Sequence, residues 1–322
     1  MGITPGGYGE FLEELTSTLN DSIVLWNEPM SRHTSFKIGG PADLLVIPRS
    51  IEDTRRVFVG CKRNGVPCYV VGNGTNLLVR DGGIRGAVLK LASGLNGIVP
   101  AEETLLEVGA GTLLSDLLDT ARNLELSGLE FAVGIPGSVG GAVAMNAGAY
   151  GGEIASLVLR VKVLDQEGRI LWLGRDDLAF GYRESIFQHR ADLMVLGAEL
   201  KMVKGRKENI VRQMEDYAHR RQEKQPLDMP SAGSAFRRPP GGYVGPLIEK
   251  AGLKGFSIGG ARVSPKHAGF IVNTGGATAK DVLQLMDTIV TAVYETSGIV
   301  LQPEIVVLGE DELPDRSESD DR

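Results

Sequence analysis

Two glycine-rich segments are the first feature of this sequence that could do chemistry. GNGTN (72–76) follows the apolar run PCYVV, and GIPGSVGGAVAMNAGAYGG (134–152) holds seven glycines and four alanines in nineteen residues. Successive backbone N–H groups in such turns form concave anion sites, and small residues let a pyrophosphate lie against the main chain. A tight turn explains a single loop of this kind equally well. Two such loops in one chain favour an extended dinucleotide as the ligand.

The most familiar nucleotide and metal motifs do not occur. The sequence has no GxxxxGK[ST], and neither GNGTNLL nor GAGTLL completes GxGxxG, so a P-loop kinase and a Rossmann dehydrogenase are both disfavoured. No metal site is expected, because none of the histidines shows the spacing of metal ligands. The histidines are His33, His189, His219 and His267.

Strand and helix patterns alternate around the two loops. The first predicted helix is capped by Ser50 and ended by Gly65, a charged helix ends at Pro226, and a long helix with an apolar stripe begins from a cap at Thr278. GNGTNLLVRDGG (72–83) is predicted to be a loop. The predicted strands are 42–48, 67–72, 87–91, 105–112, a hairpin over 157–174, 192–203 and 301–309, and a further helix is predicted over 113–128.

Composition and charge limit the class of protein. The chain has 322 residues, of which 42% are apolar, enough for two or three domains with buried cores. The last fourteen residues, GEDELPDRSESDDR, contain seven acidic residues and two arginines, so this tail supplies five of the seven net negative charges and is predicted to be disordered. The rest of the chain has no basic excess, which argues against a nucleic-acid partner.

The sequence predicts a cytoplasmic protein without a membrane span. No stretch reaches about 18 consecutive apolar residues, and the N-terminal residues lack the basic flank and apolar core of a signal peptide. Cys61 and Cys68 match neither a redox CxxC nor a zinc pair, and we expect both to be reduced packing residues.

Six segments occur together in the order and spacing of one enzyme family. The chain resembles the UDP-N-acetylenolpyruvoylglucosamine reductases, flavoenzymes of bacterial peptidoglycan precursor synthesis, over about residues 24–309. The segments are GNGTNLLV, GIPGSVGGAVAMNAGAYG, FGYRESIF, GSAFRRP, GLKGFSIGGARVSPKHAGFIVN and LQPEI.

The resemblance implies an α+β fold. It consists of a two-subdomain FAD-binding fold of the vanillyl-alcohol-oxidase (PCMH) type, followed by a smaller α/β substrate-binding domain. We expect an N-terminal segment at 1–23, FAD-binding subdomains at 24–99 and 100–205, the substrate-binding domain at 206–309 and the acidic tail at 310–322. The span between Phe187 and Ser231 is short and lacks the inserted tyrosine-bearing loop that covers the substrate in one branch of the family, so the chain resembles the other branch.

The implied reaction reduces UDP-N-acetylglucosamine enolpyruvate to UDP-N-acetylmuramate. Hydride would pass from NADPH to N5 of a non-covalently bound FAD and then to the terminal carbon of the enolpyruvyl group, and the neighbouring carbon would be protonated. Hydride attack pushes electrons toward a carboxylate that is already anionic, so the site needs a cation, a second polar group and an acid. We expect an NADP⁺-dependent UDP-N-acetylmuramate dehydrogenase that is a monomer.

Three residues match the family's catalytic positions. Arg183 in FGYRESIF would bind the substrate carboxylate with two parallel N–H donors, which arginine geometry allows. Glu304 in LQPEI would share a proton beside that carboxylate, and Ser234 would protonate the carbon. Without the resemblance, the sequence favours a surface salt bridge for Arg183 and a solvated strand end for Glu304, and Ser234 could be a turn serine such as Ser231.

Two sets of binding residues are expected, although a charged helix face is more often merely solvated. The residues expected to hold FAD are Gly72, Asn73, Gly74, Thr75, Asn76, Gly134, Pro136, Gly137, Ser138, Gly140, Gly141, Asn146, Gly148 and Ala149. Those expected to bind the substrate are Tyr150, Arg220, Lys224, Lys254 and Asn273, and Arg221 is a further candidate for the UDP diphosphate.

Two other functions stay open on the sequence. A flavin oxidase of the same fold would act on a small alcohol or hydroxy acid, consume oxygen and need no UDP. A nucleotide-binding regulatory module would hold a dinucleotide without turnover, and the joint presence of Arg183, Ser234 and Glu304 argues against it.

Overall fold

The computed structural model describes residues 8–92 and 94–311. Within these ranges the α-helices are α1 (Gly9–Ser17), α2 (Ile51–Arg63), α3 (Leu114–Asn123), α4 (Val139–Ala144), α5 (Lys207–Lys224), α6 (Val244–Lys250) and α7 (Ala279–Ser297). The β-strands are β1 (Ile23–Pro29), β2 (Pro41–Ile47), β3 (Cys68–Val71), β4 (Leu77–Val79), β5 (Ile84–Lys90), β6 (Ile98–Glu102), β7 (Leu105–Gly109), β8 (Leu126–Ser127), β9 (Gly148–Ala149), β10 (Gly152–Glu153), β11 (Val158–Asp165), β12 (Ile170–Gly174), β13 (Leu193–Lys201), β14 (Val203–Lys204), β15 (Ser231–Ser234), β16 (Ser257–Ile258), β17 (Ala261–Val263), β18 (Phe270–Asn273) and β19 (Val306–Leu308). The acidic tail predicted at 310–322 lies outside the described residues from 312 onward.

The first sheet carries the first glycine loop. Its order is β1-β2-β5-β3, in which β2, β5 and β3 run parallel and β1 is antiparallel. Parallel strands of one sheet need a crossover connection, and α2 provides it between β2 and β3, which lie on either side of β5. The predicted helix cap is confirmed, because Ser50 Oγ accepts a hydrogen bond from the Asp53 N–H at 3.0 Å and Gly65 beyond the helix has φ +66°. The loop GNGTN therefore begins where a parallel strand ends.

The second sheet is antiparallel and shares its core with the first. Its order is β12-β11-β13-β7-β6, and the predicted hairpin over 157–174 is confirmed as β11 and β12. One cluster of buried apolar side chains contains residues of β2 and of β7, so the two sheets pack into one core. Helix α3 ends at Asn123, short of the predicted residue 128, because Leu126 and Ser127 pair with β14 instead.

The third sheet lies under α7. Its order is β15-β18-β17-β16. The predicted start of α7 is confirmed by a capping box, in which Thr278 Oγ1 accepts from the Asp281 N–H at 3.1 Å and Asp281 Oδ2 accepts from the Thr278 N–H at 3.0 Å. The apolar stripe of α7 faces the core, and only Val290 of the predicted stripe is less than fully buried. The buried members are Val282, Leu285, Met286, Ile289 and Val293.

A short strand interrupts the segment that was predicted to be only a loop. That prediction was wrong for Leu77–Val79, which form β4 and pair in parallel with β19 at the other end of the chain. Leu78 is fully buried in the same apolar cluster as the α7 stripe. The predicted strand over 301–309 is reduced to Val306–Leu308, so Glu304 lies just before it. The chain thus returns to the first glycine loop, and that return brings Glu304 there.

Two N-terminal elements were not predicted. Helix α1 packs Leu12 and Leu15 into the core beside α2, and β1 forms the edge of the first sheet. None of the helices in the described ranges is long and apolar enough to cross a membrane.

Leu78→Ala should lower the free energy of unfolding by about 2–5 kcal/mol, because it leaves a cavity between β4 and the α7 core. Urea unfolding at equilibrium measures the change. Val306→Ala, in the partner strand but 37% exposed, is the control and should cost much less. Equal losses in the two variants would contradict a buried role for β4.

Candidate active site

The two glycine loops lie against each other. Asn73 Nδ2 donates a hydrogen bond to the Pro136 carbonyl oxygen at 2.6 Å. A Cβ atom placed on Gly72 would lie 2.5 Å from Ser138 Oγ, so only glycine allows this approach. Ser138 is buried and caps α4 by accepting from the Gly141 N–H at 3.5 Å. Loop 72–76 and loop 134–141 therefore form one continuous surface.

Backbone donors on this surface are without partners. Within the described ranges, the N–H groups of Asn73, Gly74, Thr75 and Gly137 donate no hydrogen bond. N–H groups left free in neighbouring glycine turns are suited to bind an anion. The surface therefore fits the pyrophosphate of a dinucleotide, as the two loops predicted.

The glycines of these segments have two different causes. Gly74 has φ +68° and a Cβ there would lie 2.1 Å from the His33 carbonyl oxygen, and a Cβ on Gly148 would lie 2.6 Å from the Gly152 carbonyl oxygen. These positions need glycine for packing alone. At Gly137 the nearest atom to a Cβ would be 3.7 Å away, so no contact within the protein requires glycine there. Gly137 is the position at which a ligand best explains the residue.

Arg183 and Glu304 meet beside the glycine loops. Arg183 Nε donates to Glu304 Oε1 at 2.8 Å, and Arg183 Nη2 donates to the Gly148 carbonyl oxygen at 2.9 Å. The two side chains are 23% and 14% exposed, so the pair is largely withdrawn from water. Arg183 lies in a tight turn closed by Gly181 and Glu184, and its φ of +56° is in the left-handed region. A non-glycine residue held there is strained and needs support from its surroundings.

Asn146 provides part of that support. It is 1% exposed, its Nδ2 donates to the Gly181 carbonyl oxygen at 2.8 Å, and its Oδ1 accepts from the Ala155 N–H at 3.1 Å. Both ends of the amide are therefore engaged within the protein. The sequence predicts Asn146 as a cofactor ligand, and these contacts show that its amide also supports the turn that carries Arg183.

The backbone N–H and carbonyl groups of Glu304 are both hydrogen-bonded. Its N–H donates to the Ala235 carbonyl oxygen at 2.9 Å, and its own carbonyl oxygen accepts from Asn76 Nδ2 at 3.0 Å. Burial raises the pKa of the Glu304 carboxyl above its ordinary value, although the charges of Arg183 and Arg237 act in the opposite direction. A carboxyl of this kind is suited to hold and share a proton.

Ser234 directly precedes Ala235, whose carbonyl oxygen accepts the hydrogen bond from the Glu304 N–H. It ends β15 immediately after Gly233, whose φ is +78°, and its Oγ donates to the Phe236 carbonyl oxygen at 3.1 Å. The Arg183 guanidinium and the Glu304 carboxyl are thus in contact, and the segment that carries Ser234 adjoins Glu304 through the Ala235 backbone.

The predicted substrate-binding residues lie in different settings. Arg220 is paired with Asp216 at 2.9 Å and Lys254 with Glu249 at 2.9 Å, and both pairs are exposed. Lys224 is exposed at the end of α5. Asn273 is buried, with its amide donating to the Phe36 carbonyl oxygen at 3.1 Å and accepting from two loop N–H groups. These contacts give Asn273 a structural role.

Arg221 and Tyr217 on α5 contact the second glycine segment directly. A Cβ on Gly134 would lie 2.8 Å from Arg221 Cδ, and Arg221 Nε is buried without a partner among the described residues. Tyr150 stacks on Tyr217. Sequence reasoning named Arg221 only as one of several cations and did not single out Tyr217. The spacing of four residues, which places both on one face of α5, was the available signal.

Two family models match the chain. The model described as UDP-N-acetylenolpyruvoylglucosamine reductase, C-terminal domain, matches residues 225–308, and the model described as FAD binding domain matches residues 42–174.

Relatives match over nearly their whole length. The chain is 50% identical to the UDP-N-acetylenolpyruvoylglucosamine reductase of Caldanaerobacter subterraneus over 299 residues, which are 93% of this chain and 98% of the relative. It is also 50% identical to the protein of that name from Syntrophomonas wolfei over 285 residues, 88% of this chain and 95% of the relative. The crystal structure of UDP-N-acetylenolpyruvylglucosamine reductase from Thermus caldophilus is similar with a TM-score of 0.76 and 37% identity, covering 89% of this chain and 99% of that one.

Glu304→Gln should change how stability depends on pH. Burial raises the pKa of Glu304 in the folded state above its value in the unfolded state. The contribution of Glu304 to the free energy of unfolding is therefore most favourable below the unfolded pKa, and it is lost as the pH rises through the folded pKa. Glutamine does not ionise. The free energy of unfolding of the variant minus that of the parent, from urea titrations between acid and neutral pH, should therefore increase with pH. Glu295→Gln, at an exposed site on α7, is the control, and a difference that decreases with pH would refute the raised pKa.

Proposed function

The chain belongs to the UDP-N-acetylenolpyruvoylglucosamine reductase family, and on that premise we propose that Arg183, Glu304 and Ser234 carry out its reaction. The protein is an oxidoreductase with FAD as cofactor, and it reduces the enolpyruvyl ether of UDP-N-acetylglucosamine in peptidoglycan precursor synthesis. Its fold is the predicted α+β fold, a PCMH-type FAD-binding domain followed by a C-terminal domain. The contact between Arg183 and Glu304 at 2.8 Å is the observation that carries the proposed roles.

Regions 24–99 and 100–205 hold FAD between their glycine loops, and region 206–309 binds the substrate. The free N–H groups at 73–75 and 137 bind the pyrophosphate. When bound there, FAD would supply the hydride transfer from NADPH to the terminal carbon of the enolpyruvyl group. The other cofactor residues act through the close backbone approach that the glycines permit, and Asn146 acts by supporting the site.

Arg183 binds the substrate carboxylate. A guanidinium has five N–H donors, and the described contacts of Arg183 use one on Nε and one on Nη2. The remaining donors are free to engage a carboxylate, and their charge stabilises the electron density that hydride attack sends into it. Since Gly148 and Glu304 already orient the guanidinium, little reorganisation is needed when the substrate binds.

Glu304 shares a proton with the substrate carboxyl. Burial already raises its pKa, and a second carboxylate next to it would raise the pKa further. A protonated Glu304 donates a hydrogen bond to the enolic carboxyl, which complements the charge of Arg183.

Ser234 donates the proton that completes the reduction. Its hydroxyl donates to the Phe236 carbonyl oxygen at 3.1 Å, and a hydroxyl rotates freely about its C–O bond. A serine hydroxyl is a weak acid, but the carbon of an enolate is strongly basic, so a correctly placed hydroxyl suffices.

A single chain supplies every group of the proposed site, so we expect an active monomer. Cys61 and Cys68 are both free, which fits the reducing conditions of the cytoplasm, where we place the enzyme as an NADP⁺-dependent UDP-N-acetylmuramate dehydrogenase. Tyr150 and Arg221 are the substrate-binding candidates that lie at the glycine segments, and exposed Lys224 at the end of α5 is a further candidate for the UDP diphosphate.

Ser234→Ala should slow the return of flavin absorbance when the enolpyruvyl sugar nucleotide is added to the NADPH-reduced enzyme under anaerobic conditions, by about 10²–10⁴-fold. Bleaching by NADPH should proceed at nearly the parent rate, because it needs no proton from Ser234. Ser231→Ala, at the other end of β15, is the matched control and should behave like the parent. Recovery at the parent rate in the Ser234 variant would rule out this proton donor.

Gly137→Ala should weaken FAD binding by about tenfold or more, because a methyl group would block the approach of the pyrophosphate to the main chain. Since no protein atom lies within 3.7 Å of that position, the stability of the apoprotein should change by less than about 0.5 kcal/mol. Quenching of FAD fluorescence measures the binding, and thermal unfolding measures the stability. Gly242→Ala, where nothing lies within 4 Å, is the control. Unchanged FAD affinity in the Gly137 variant would remove this loop from the cofactor site.

A further inference from the structure

The tip of the β9–β10 hairpin carries a tyrosine in an unusual backbone conformation. Ala149 and Gly152 pair across a two-residue turn, and the φ angles of its residues Tyr150 and Gly151 are +52° and +87°. Turns with positive φ at both positions are usually built from asparagine, aspartate and glycine, because a residue with a bulky side chain is strained there. Tyrosine at this position therefore needs a compensating contact.

Helix α5 provides the contact. The rings of Tyr150 and Tyr217 are stacked, with centroids 4.4 Å apart and planes inclined by 7°. The Tyr150 hydroxyl donates to the carbonyl oxygen of Tyr217 at 3.3 Å. One turn along α5, the Arg221 guanidinium lies 5.8 Å from the centre of the Tyr150 ring. The tip of the hairpin is thus docked on one face of α5.

This docking joins α5 to both ends of the second glycine segment. Arg221 packs against Gly134 at its start, and Tyr217 packs against Tyr150 near its end. Of the residues that the structure describes in α5, Ile210 alone is buried, and the others are at least partly exposed. Gly152 in the hairpin packs against Phe131, and the aromatic stack provides the contact between the hairpin tip and α5.

The same hairpin holds Arg183. Gly148, two residues before Tyr150, is paired with Glu153 in the hairpin, and its carbonyl oxygen accepts from Arg183 Nη2 at 2.9 Å. The hairpin spans only residues 148–153, so a shift of its tip also moves the Gly148 carbonyl oxygen. The direction of the guanidinium toward Glu304 depends on that oxygen.

We propose that Tyr217 is a positioning residue for the reaction. By stacking on Tyr150 it fixes the hairpin, and the hairpin then holds Arg183 in the orientation that receives the substrate carboxylate. This inference rests on the proposed role of Arg183. It assigns to α5 a function that requires no contact between Tyr217 and the substrate.

The test separates the two halves of the catalytic cycle in the FAD-loaded enzyme. Tyr217→Ala should slow reoxidation by the enolpyruvyl sugar nucleotide by about 10–100-fold, as expected for misplacement of a catalytic group. Reduction by NADPH should stay within about twofold of the parent, since it does not use Arg183. Tyr217→Phe should restore reoxidation, because it keeps the ring and the backbone carbonyl that accepts from Tyr150. Tyr294→Ala, at an exposed tyrosine on α7, is the matched control.

Each outcome decides the inference. Reoxidation at the parent rate in Tyr217→Ala, or equal slowing of both half-reactions, would overturn the positioning role, as would a failure of Tyr217→Phe to restore the rate. Tyr217→Leu keeps an apolar side chain without a stacking ring and replaces the alanine variant if that protein does not fold. The parent is measured in the same series. A parent that is reduced by NADPH but is not reoxidised by the sugar nucleotide would overturn the proposed function itself.

Discussion

The half-buried ion pair of Arg183 and Glu304 is the interaction on which the rest of the site depends. Withdrawing two charges from water is costly, and the cost is offset only when the geometry is good and the remaining donors and acceptors are satisfied. Here Arg183 is held by Glu304 and by the Gly148 carbonyl oxygen. Glu304 is held in turn by backbone contacts to Ala235 and Asn76. The pair thus ties the second glycine segment, the first glycine loop and the strand that ends at Ser234 into one unit.

That unit is kept in place by strained residues whose strain is compensated locally. Asn146, Tyr150 and Arg183 all have positive φ angles, of +42°, +52° and +56°. Such conformations persist only where the surroundings over-determine them, and they are common at functional sites. Each of the three is stabilised by its own contacts. These are the two hydrogen bonds of the Asn146 side-chain amide, the stacking of Tyr150 on Tyr217 of α5 and the hydrogen bonds of the Arg183 guanidinium. The result is a cation that is oriented before the substrate arrives, which is the condition for electrostatic stabilisation without reorganisation.

Glycine serves two purposes in the same segments. At Gly74 and Gly148 the neighbouring backbone leaves no room for a Cβ atom, so glycine is a condition of folding. At Gly137 a Cβ atom would make only ordinary contacts, the nearest at 3.7 Å, and the N–H group is free among the described residues, so the proposed binding of FAD explains the glycine. The amino-acid sequence presents both kinds identically, and only the distances in the folded chain separate them. The same holds for the cations, since Arg220 pairs with its helix neighbour Asp216 while Arg221 turns inward to Gly134.

The sequence by itself determined what depends on local pattern. Ser50, Gly65, Thr278 and the stripe on α7 predicted two helices with their caps, because helix ends and amphipathic faces are set by residues a few positions apart. The glycine content likewise predicted a dinucleotide, and the order and spacing of the motifs predicted the family and, through it, FAD. Tertiary structure decided what depends on distant partners. Strand β4 forms only because β19 pairs with it from the other end of the chain, and Glu304 is buried, with a raised pKa, only because that pairing and Asn76 bring it to the first glycine loop. The docking of Tyr150 on Tyr217 is of the same kind, since no local pattern specifies which helix face meets a hairpin 67 residues away.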